Sequence, residues 1–372
     1  MVLERKDDFR LPTAFKCIKH LDFTMDHEHI MEGCAKVIAW VFPEWNLKEV
    51  KFSHQTQGLT NKLVKCTWRS HSVLIRTYGK GTDSLIDRNQ EMLNFVALSR
   101  NGLSSEVYGR FNNGFAYGYV GAPLSASDLK HPEKYLLIAR HLAKWHKVDA
   151  SDIMEPKSRL FETYNEWLNS LPETFTRPEV DAEVRSFITI ERLRKELRHL
   201  EAELTNVDSP VVLSHGDVNP FNIIYDKERG KVDCECSLAT RVDCPFILTL
   251  MRHNIIVIDV EYGFYRPRGF DLGNHFCEHA GFDCEWENYP EPDMQRAFIR
   301  AYLEAQQEGP VTEEDISKLY AEANKFSLAS NLGWGIWGLA QAESSDLDFD
   351  HVGYAKSRLD EYFRRKESFL AL

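Results

Sequence analysis

Ser214-His215-Gly216-Asp217-Val218-Asn219-Pro220-Phe221-Asn222, followed downstream by Ile258-Asp259-Val260-Glu261, is the sequence from which the fold is read. It sets out His-x-Asp-x-x-x-x-Asn and then a second aspartate closing an apolar run. In that order Asp217 can hold an attacking hydroxyl, Asn222 can reach a magnesium ion, and Asp259 supplies the other metal contact. Four residues between Asp217 and Asn222 make a tight loop, so both side chains can face one nucleotide. Asp217 alone would pass for a turn cap; with Asn222 and Asp259 in register, the pattern points to ATP-dependent phosphoryl transfer. His215 reads as a structural member of the loop rather than a base.

The flanking sequence predicts two lobes. Residues 48–52, 62–68 and 72–78 are β-rich runs, with a Gly58-Leu59-Thr60-Asn61 turn between the first two. Residues 87–99 have helical spacing, and Asn112-Asn113-Gly114 marks a hairpin leading into a strand over 115–120. Beyond Pro123 helices take over: Pro132 suits a first helical position, and Tyr135, Ile138, Ala139, Leu142 and Trp145 share one face. Residues 181–204 read as one long, mixed-charge, solvent-facing helix. The expected architecture is α+β and bilobal, protein-kinase-like. A small β-rich lobe spans 1–120 and a larger, mainly helical lobe 121–372, with a linker near 120–124 and ATP in the cleft.

Composition narrows the function classes. The 372 residues suffice for two lobes. A formal charge of −12 argues against a nucleic-acid binder and is compatible with a cationic small substrate. The first residues hold no apolar core of a signal peptide, and the longest apolar-leaning segment, 327–342, falls short of a bilayer span. Eight cysteines without a zinc-type pairing read as free thiols in the cytoplasm. His141 and His146 lack the four-residue spacing of a helical metal pair and read as surface histidines.

The chain resembles the choline/ethanolamine kinase family, and the ethanolamine kinases most closely. The resemblance covers roughly residues 40–365. It rests on Gly58 to Leu63, Val73 to Gly79, the Asp217 loop, Ile258 to Tyr262, Gly269-Phe270-Asp271-Leu272-Gly273-Asn274-His275-Phe276, and Trp334-Gly335-Ile336-Trp337, in that order. It implies that Asp217 deprotonates the substrate hydroxyl and that Asn222, Asp259 and Glu261 hold Mg2+. Thr60, Asn61 and Arg76 would face ATP phosphates, with Glu91 as the partner of Arg76. Glu278, Trp334, Trp337 and Tyr354 would take the amino-alcohol cation, each ring contributing ~0.5–2 kcal/mol. The implied activity is phosphorylation of ethanolamine to phosphoethanolamine, with choline as the rival substrate; a homodimer is compatible with it. On the residues alone, Trp334 and Trp337 are as readily core as ligand box, and Glu261 and Glu278 as readily structural ion pairs.

Two departures stand out. About twenty extra residues near 233–254, carrying Cys234, Cys236, Cys244 and an apolar run at 245–251, separate Asn222 from Asp259. An extruded loop or a gene-model error accounts for them. Were they to displace Asp259, the chain would be a nucleotide-binding scaffold without turnover. Asn331-Leu332-Gly333 stands where relatives carry bulkier residues just before the tryptophans, which bears on the shape of the pocket and its tolerance of choline.

Overall fold

Alternating β-branched and aromatic residues build the amino-terminal sheet. The computed structural model describes residues 18–55, 61–79, 87–225, 255–345 and 349–372; Thr60 and the 233–254 insertion lie outside them. In this first part the elements are β1 (His20–Leu21), α1 (Ile30–Val41), β2 (Lys51–Gln55), β3 (Asn61–Trp68), β4 (His71–Tyr78), α2 (Arg88–Arg100), β5 (Val107–Phe111) and β6 (Gly114–Gly118). The sheet runs β1-β5-β6-β4-β3-β2. All its pairs are antiparallel except β1 with β5.

Period-two alternation sorts β4 between two helices. Val73 and Ile75 pack with Cys34, Val37 and Ile38 of α1, whereas Leu74 packs with Phe95 of α2 and Phe115. Asp87 caps α2 by accepting from the amides of Asn89 and Gln90, a contact worth ~1 kcal/mol.

The helical part comprises α3 (Pro132–Trp145), α4 (Leu160–Ser170), α5 (Pro178–Phe187), α6 (Ile190–Leu204), β7 (Val211–Ser214), β8 (Ile223–Tyr225), β9 (Ile255–Val257), β10 (Phe264–Pro267), α7 (Arg268–Cys277), α8 (Pro292–Gln306), α9 (Glu313–Ser344) and α10 (His351–Leu370). Pro132 opens α3 as its position predicts. The single helix expected over 181–204 is instead two. Ile188 is extended (φ −149°, ψ 155°), and the Thr189 hydroxyl caps α6 by accepting from the Arg192 amide. Consecutive β-branched residues at 188–190 favour that break. Nor is α6 solvated all round, since Leu193, Leu197, Leu200 and Leu204 are buried.

His141 and His146 are likewise not surface residues; both are buried. Segment 327–342 is the interior of α9, buried throughout, and among the described residues no helix is long and apolar enough to cross a membrane.

The passage between the two parts is stitched down. Gly121 has φ +136°, and a Cβ there would lie 2.8 Å from Ile224 Cγ2. Pro123 bridges Ile224, and the Leu124 amide donates to Ile223 O at 2.8 Å.

Gly114 is set directly against the site-bearing strand: a Cβ there would stand 2.1 Å from the carbonyl oxygen of Arg76. Gly114→Val is expected to destabilise the fold by about 1–3 kcal/mol through overpacking, read as a lowered urea midpoint; an unchanged midpoint would contradict the packing described.

Candidate active site

Strand alternation delivers the first cation. Arg76 shares the Leu74 face of β4, the face that α2 covers, and its Nη1 lies 3.0 Å from Glu91 Oε1. The side chain is 2% exposed and also reaches across the cleft, with Nη1 2.8 Å from Asp259 Oδ1 and Nη2 donating to Glu261 Oε2. Arg88 serves the same carboxylates: its Nη1 is 3.2 Å from Glu91 Oε2 and 3.0 Å from Glu261 Oε2. Asn61 Nδ2 donates to Glu261 Oε2 at 3.0 Å. Asn94 donates to the carbonyls of Val260 and Gly263 at 3.0 and 2.6 Å. Arg88 and Asn94 are absent from the sequence reading, yet each lies three positions from Glu91, the spacing of helical neighbours.

The Asp217 loop is held from behind. After β7 the chain turns at Gly216 (φ +85°), where a Cβ would come within 2.2 Å of Arg266 Nη1 and 2.5 Å of Tyr262 O. Asp271, from α7, accepts from Ser214 Oγ at 2.6 Å and from the amides of His215 and Gly216 at 2.8 Å each. Its fourth contact is His146 Nε2 at 2.9 Å, and His146 Nδ1 meets the Tyr302 hydroxyl at 2.8 Å. His146 is therefore a buried tether. Burial alone would raise the Asp271 carboxyl; the His146 and Ser214 contacts hold it well below the ordinary carboxylate range.

His215 pairs through Nε2 with Ile258 O at 2.9 Å and accepts the Asp217 amide on Nδ1 at 3.2 Å. It links the two acidic segments and does not serve as an outward-facing base.

The Asp217 carboxylate accepts from Asn219 Nδ2 on both oxygens, at 3.0 and 2.9 Å, and from Asn222 Nδ2 at 3.0 Å. A short antiparallel ladder brings Asp259 alongside: Ile223 pairs Val257, and the Ile258 amide donates to Asn222 O at 2.8 Å. The ladder's far rung is Tyr225 with Ile255, so the intervening segment departs from the end remote from Asp259. Displacement of Asp259, the basis of the inactive-scaffold reading, does not occur. Asp259 itself sits at φ +63°, a left-handed conformation that costs an aspartate ~1–3 kcal/mol and is typical of functional positions.

Electrostatics join the parts. Burial and then the charges of Glu278, Asp259 and Glu261 push the Asp217 carboxyl well above the ordinary range, against the pull of the Asn219 hydrogen bonds. Burial likewise pushes Asp259 up to about 6 and Glu91 up to about 7, against the pull of Arg76. Single oxygens of Glu91, Asp259 and Glu261 lie within 4.8 Å of one another, a hard-oxygen set suited to a divalent cation. Asn222 is committed to Asp217 through its amide nitrogen, which leaves its carbonyl oxygen as the donor for a metal.

A cluster of aromatic side chains is organised by α7. Asn274 Oδ1 accepts from Ser330 Oγ and Trp334 Nε1, both at 2.8 Å. Trp334 packs on Tyr262 (5.0 Å between centroids), Trp337 (5.4 Å) and Trp167 (6.2 Å), and Trp337 packs on Tyr354 (6.3 Å). Tyr262 and Tyr354 both feel the Asp217 charge after that of nearer groups. The Trp337 indole N–H and the Tyr262 hydroxyl are buried without a well-formed hydrogen bond. Glu278 is already paired: Arg358 Nη2 donates to its Oε1 at 2.7 Å, and that guanidinium lies 5.1 Å from the Tyr354 ring centroid. Tyr262 and Arg358 were missed in sequence; Tyr262 stands next to Glu261, but nothing local marks Arg358. The space beside Gly333 is filled by Tyr164, whose Cζ would lie 2.1 Å from a Cβ at that position.

Known proteins match this chain in sequence and in fold. The sequence profile of the Choline/ethanolamine kinase family matches residues 52–363. Ethanolamine kinase 1 of Homo sapiens is 34% identical over 352 residues, covering 92% of this chain and 73% of the human one. Ethanolamine kinase 1 of Mus musculus is 32% identical, covering 97% of each. Among solved structures, the ethanolamine kinase of Plasmodium vivax superposes with a TM-score of 0.76 at 26% identity, covering 97% of this chain and 95% of that one.

His275 donates from Nδ1 to Val218 O at 2.9 Å, and burial pushes its imidazole down to about 4. The unfolded chain takes up that proton near pH 6.5, so stability is full above that value and falls as pH drops toward 4. The loss is about 1–2 kcal/mol between pH 7 and 5 from this group. His275→Asn, which keeps an amide donor, is expected to flatten that slope in urea titrations; an equally steep slope would refute it.

Proposed function

The chain belongs to the choline/ethanolamine kinase family, and on that footing we propose that it transfers the γ-phosphoryl group of ATP to ethanolamine, making phosphoethanolamine for phosphatidylethanolamine synthesis. The observation that carries this reading is the position of Asp217, held by Asn219 and Asn222 on a loop that the Ile223–Val257 ladder sets alongside Asp259 and Glu261.

In this reading Asp217, fixed by Asn219 and Asn222, accepts the proton of the substrate hydroxyl. Asn222, Asp259 and Glu261 hold magnesium, with Glu91 near enough to join them. Magnesium bound there would neutralise phosphate oxygens as charge shifts during transfer. Arg76 and Asn61 face the phosphates, and Thr60 belongs to the same turn. Arginine suits this role through its permanent charge and forked donors. Glu278, held by Arg358 on one oxygen, keeps the other for an ammonium N–H, while Tyr262, Trp337 and Tyr354 supply ring faces and Trp334 braces them. A primary ammonium has three donors to satisfy, so a pocket with a carboxylate and a phenol favours ethanolamine over choline. We place the lobe boundary at 120/121, beside Gly121, and the reaction in the cytoplasm; the reading is compatible with a homodimer.

Asp217→Ala and Asp259→Ala should each fold yet lose turnover, by about 10²–10⁴-fold for the proton acceptor. Coupled ADP-release assays with ethanolamine and choline should give the higher kcat/KM for ethanolamine. Near-normal rates in either variant would remove the role given to that residue, and a choline preference would reverse the substrate assignment.

A further inference from the structure

We propose that Arg88 makes this site select a metal–nucleotide complex over a bare divalent cation; the assignment rests on the nucleotide reading above. Among the described residues, three carboxylates and two guanidinium groups meet here: Glu91, Asp259 and Glu261 with Arg76 and Arg88. The two arginines are not equivalent. Arg76 is enclosed in the sheet, 2% exposed, and touches all three acids. Arg88 stands at the first position of α2, is 15% exposed, and shares one nitrogen between Glu91 and Glu261. Its guanidinium lies 4.1 Å from the centroid of Tyr78, a contact that survives small rotations of the side chain.

A divalent cation entering alone must take Glu91 and Glu261 oxygens from Arg88 and sit beside that charge unshielded. A cation arriving with a polyphosphate brings anionic oxygens to which the released N–H groups can turn. Arg88 therefore opposes the first event and favours the second. A merely structural ion pair would support both, or neither, because loss of the pair would loosen the same carboxylates for either ligand.

The test is binding, measured without turnover, on the full chain: Mn2+ alone by loss of its free electron-spin resonance signal, and Mg2+ with a non-hydrolysable ATP analogue by calorimetry. Removing one unit charge about 4 Å away at an effective dielectric near 20 corresponds to about a thousandfold, which solvent screening at this partly open site reduces to about tenfold or more. In Arg88→Gln, Mn2+ alone should bind about tenfold tighter and the metal–nucleotide complex about tenfold weaker. Arg88→Lys, which keeps the charge, should leave both affinities within about threefold of the parent. Affinities that fall together in Arg88→Gln, or do not move, overturn the assignment. Should that variant fail to fold by circular dichroism, Arg88→Lys decides, and a joint loss of both affinities there overturns it. If the unmutated protein binds neither ligand, the kinase reading falls and this assignment with it; binding in the parent separates the two failures.

Discussion

A buried guanidinium shared by carboxylates from separate parts of the chain is the constraint on which the site depends. Arg76 belongs to the sheet, Glu91 to the helix behind it, and Asp259 and Glu261 to a loop almost two hundred positions downstream. None of these charges could be buried alone; removing the Arg76 guanidinium would leave buried carboxylates uncompensated, at a cost of several kcal/mol. The cluster therefore sets the separation of the two parts of the molecule along the cleft, and Asn94, bonded to the backbone of Val260 and Gly263, repeats the constraint with neutral groups.

The second support comes from below. Asp271 gathers four donors around one carboxylate, three of them from the turn that presents Asp217. His146 matters because it anchors Asp271 to Tyr302 and thus to the helical core. Rigidity at Asp217 is inherited from a residue that never faces the cleft.

Chemistry was legible in sequence wherever it is written in local spacing. The Asp217–Asn222 interval and the Asp259–Glu261 alternation follow from loop length and strand period, whereas the pairing of Arg76 with Glu91 came from the family resemblance. What escaped depends on tertiary contact. Arg358 reaches Glu278 from α10, eighty positions away, and no spacing rule links them. His146 looked solvent-exposed because its partner Asp271 comes from another helix. The break at Ile188–Thr189 was missed since alternating charge suggested a continuous helix, while β-branching and a capping hydroxyl decided otherwise. Trp334 and Trp337 illustrate the middle case: they are core by packing, and only the proposed function gives them a second part beside the substrate.

One helix touches both ends of the proposed reaction. From α7, Asp271 and His275 grip the loop of Asp217, whereas Asn274 and, just past its end, Glu278 shape the aromatic pocket. At 1.5 Å of rise per residue, Asp271 and Glu278 are spaced by roughly 10 Å along a nearly inextensible rod. The Asp217 loop and the Glu278 carboxylate are thus two fittings on one strut, and a shift of α7 would carry both together.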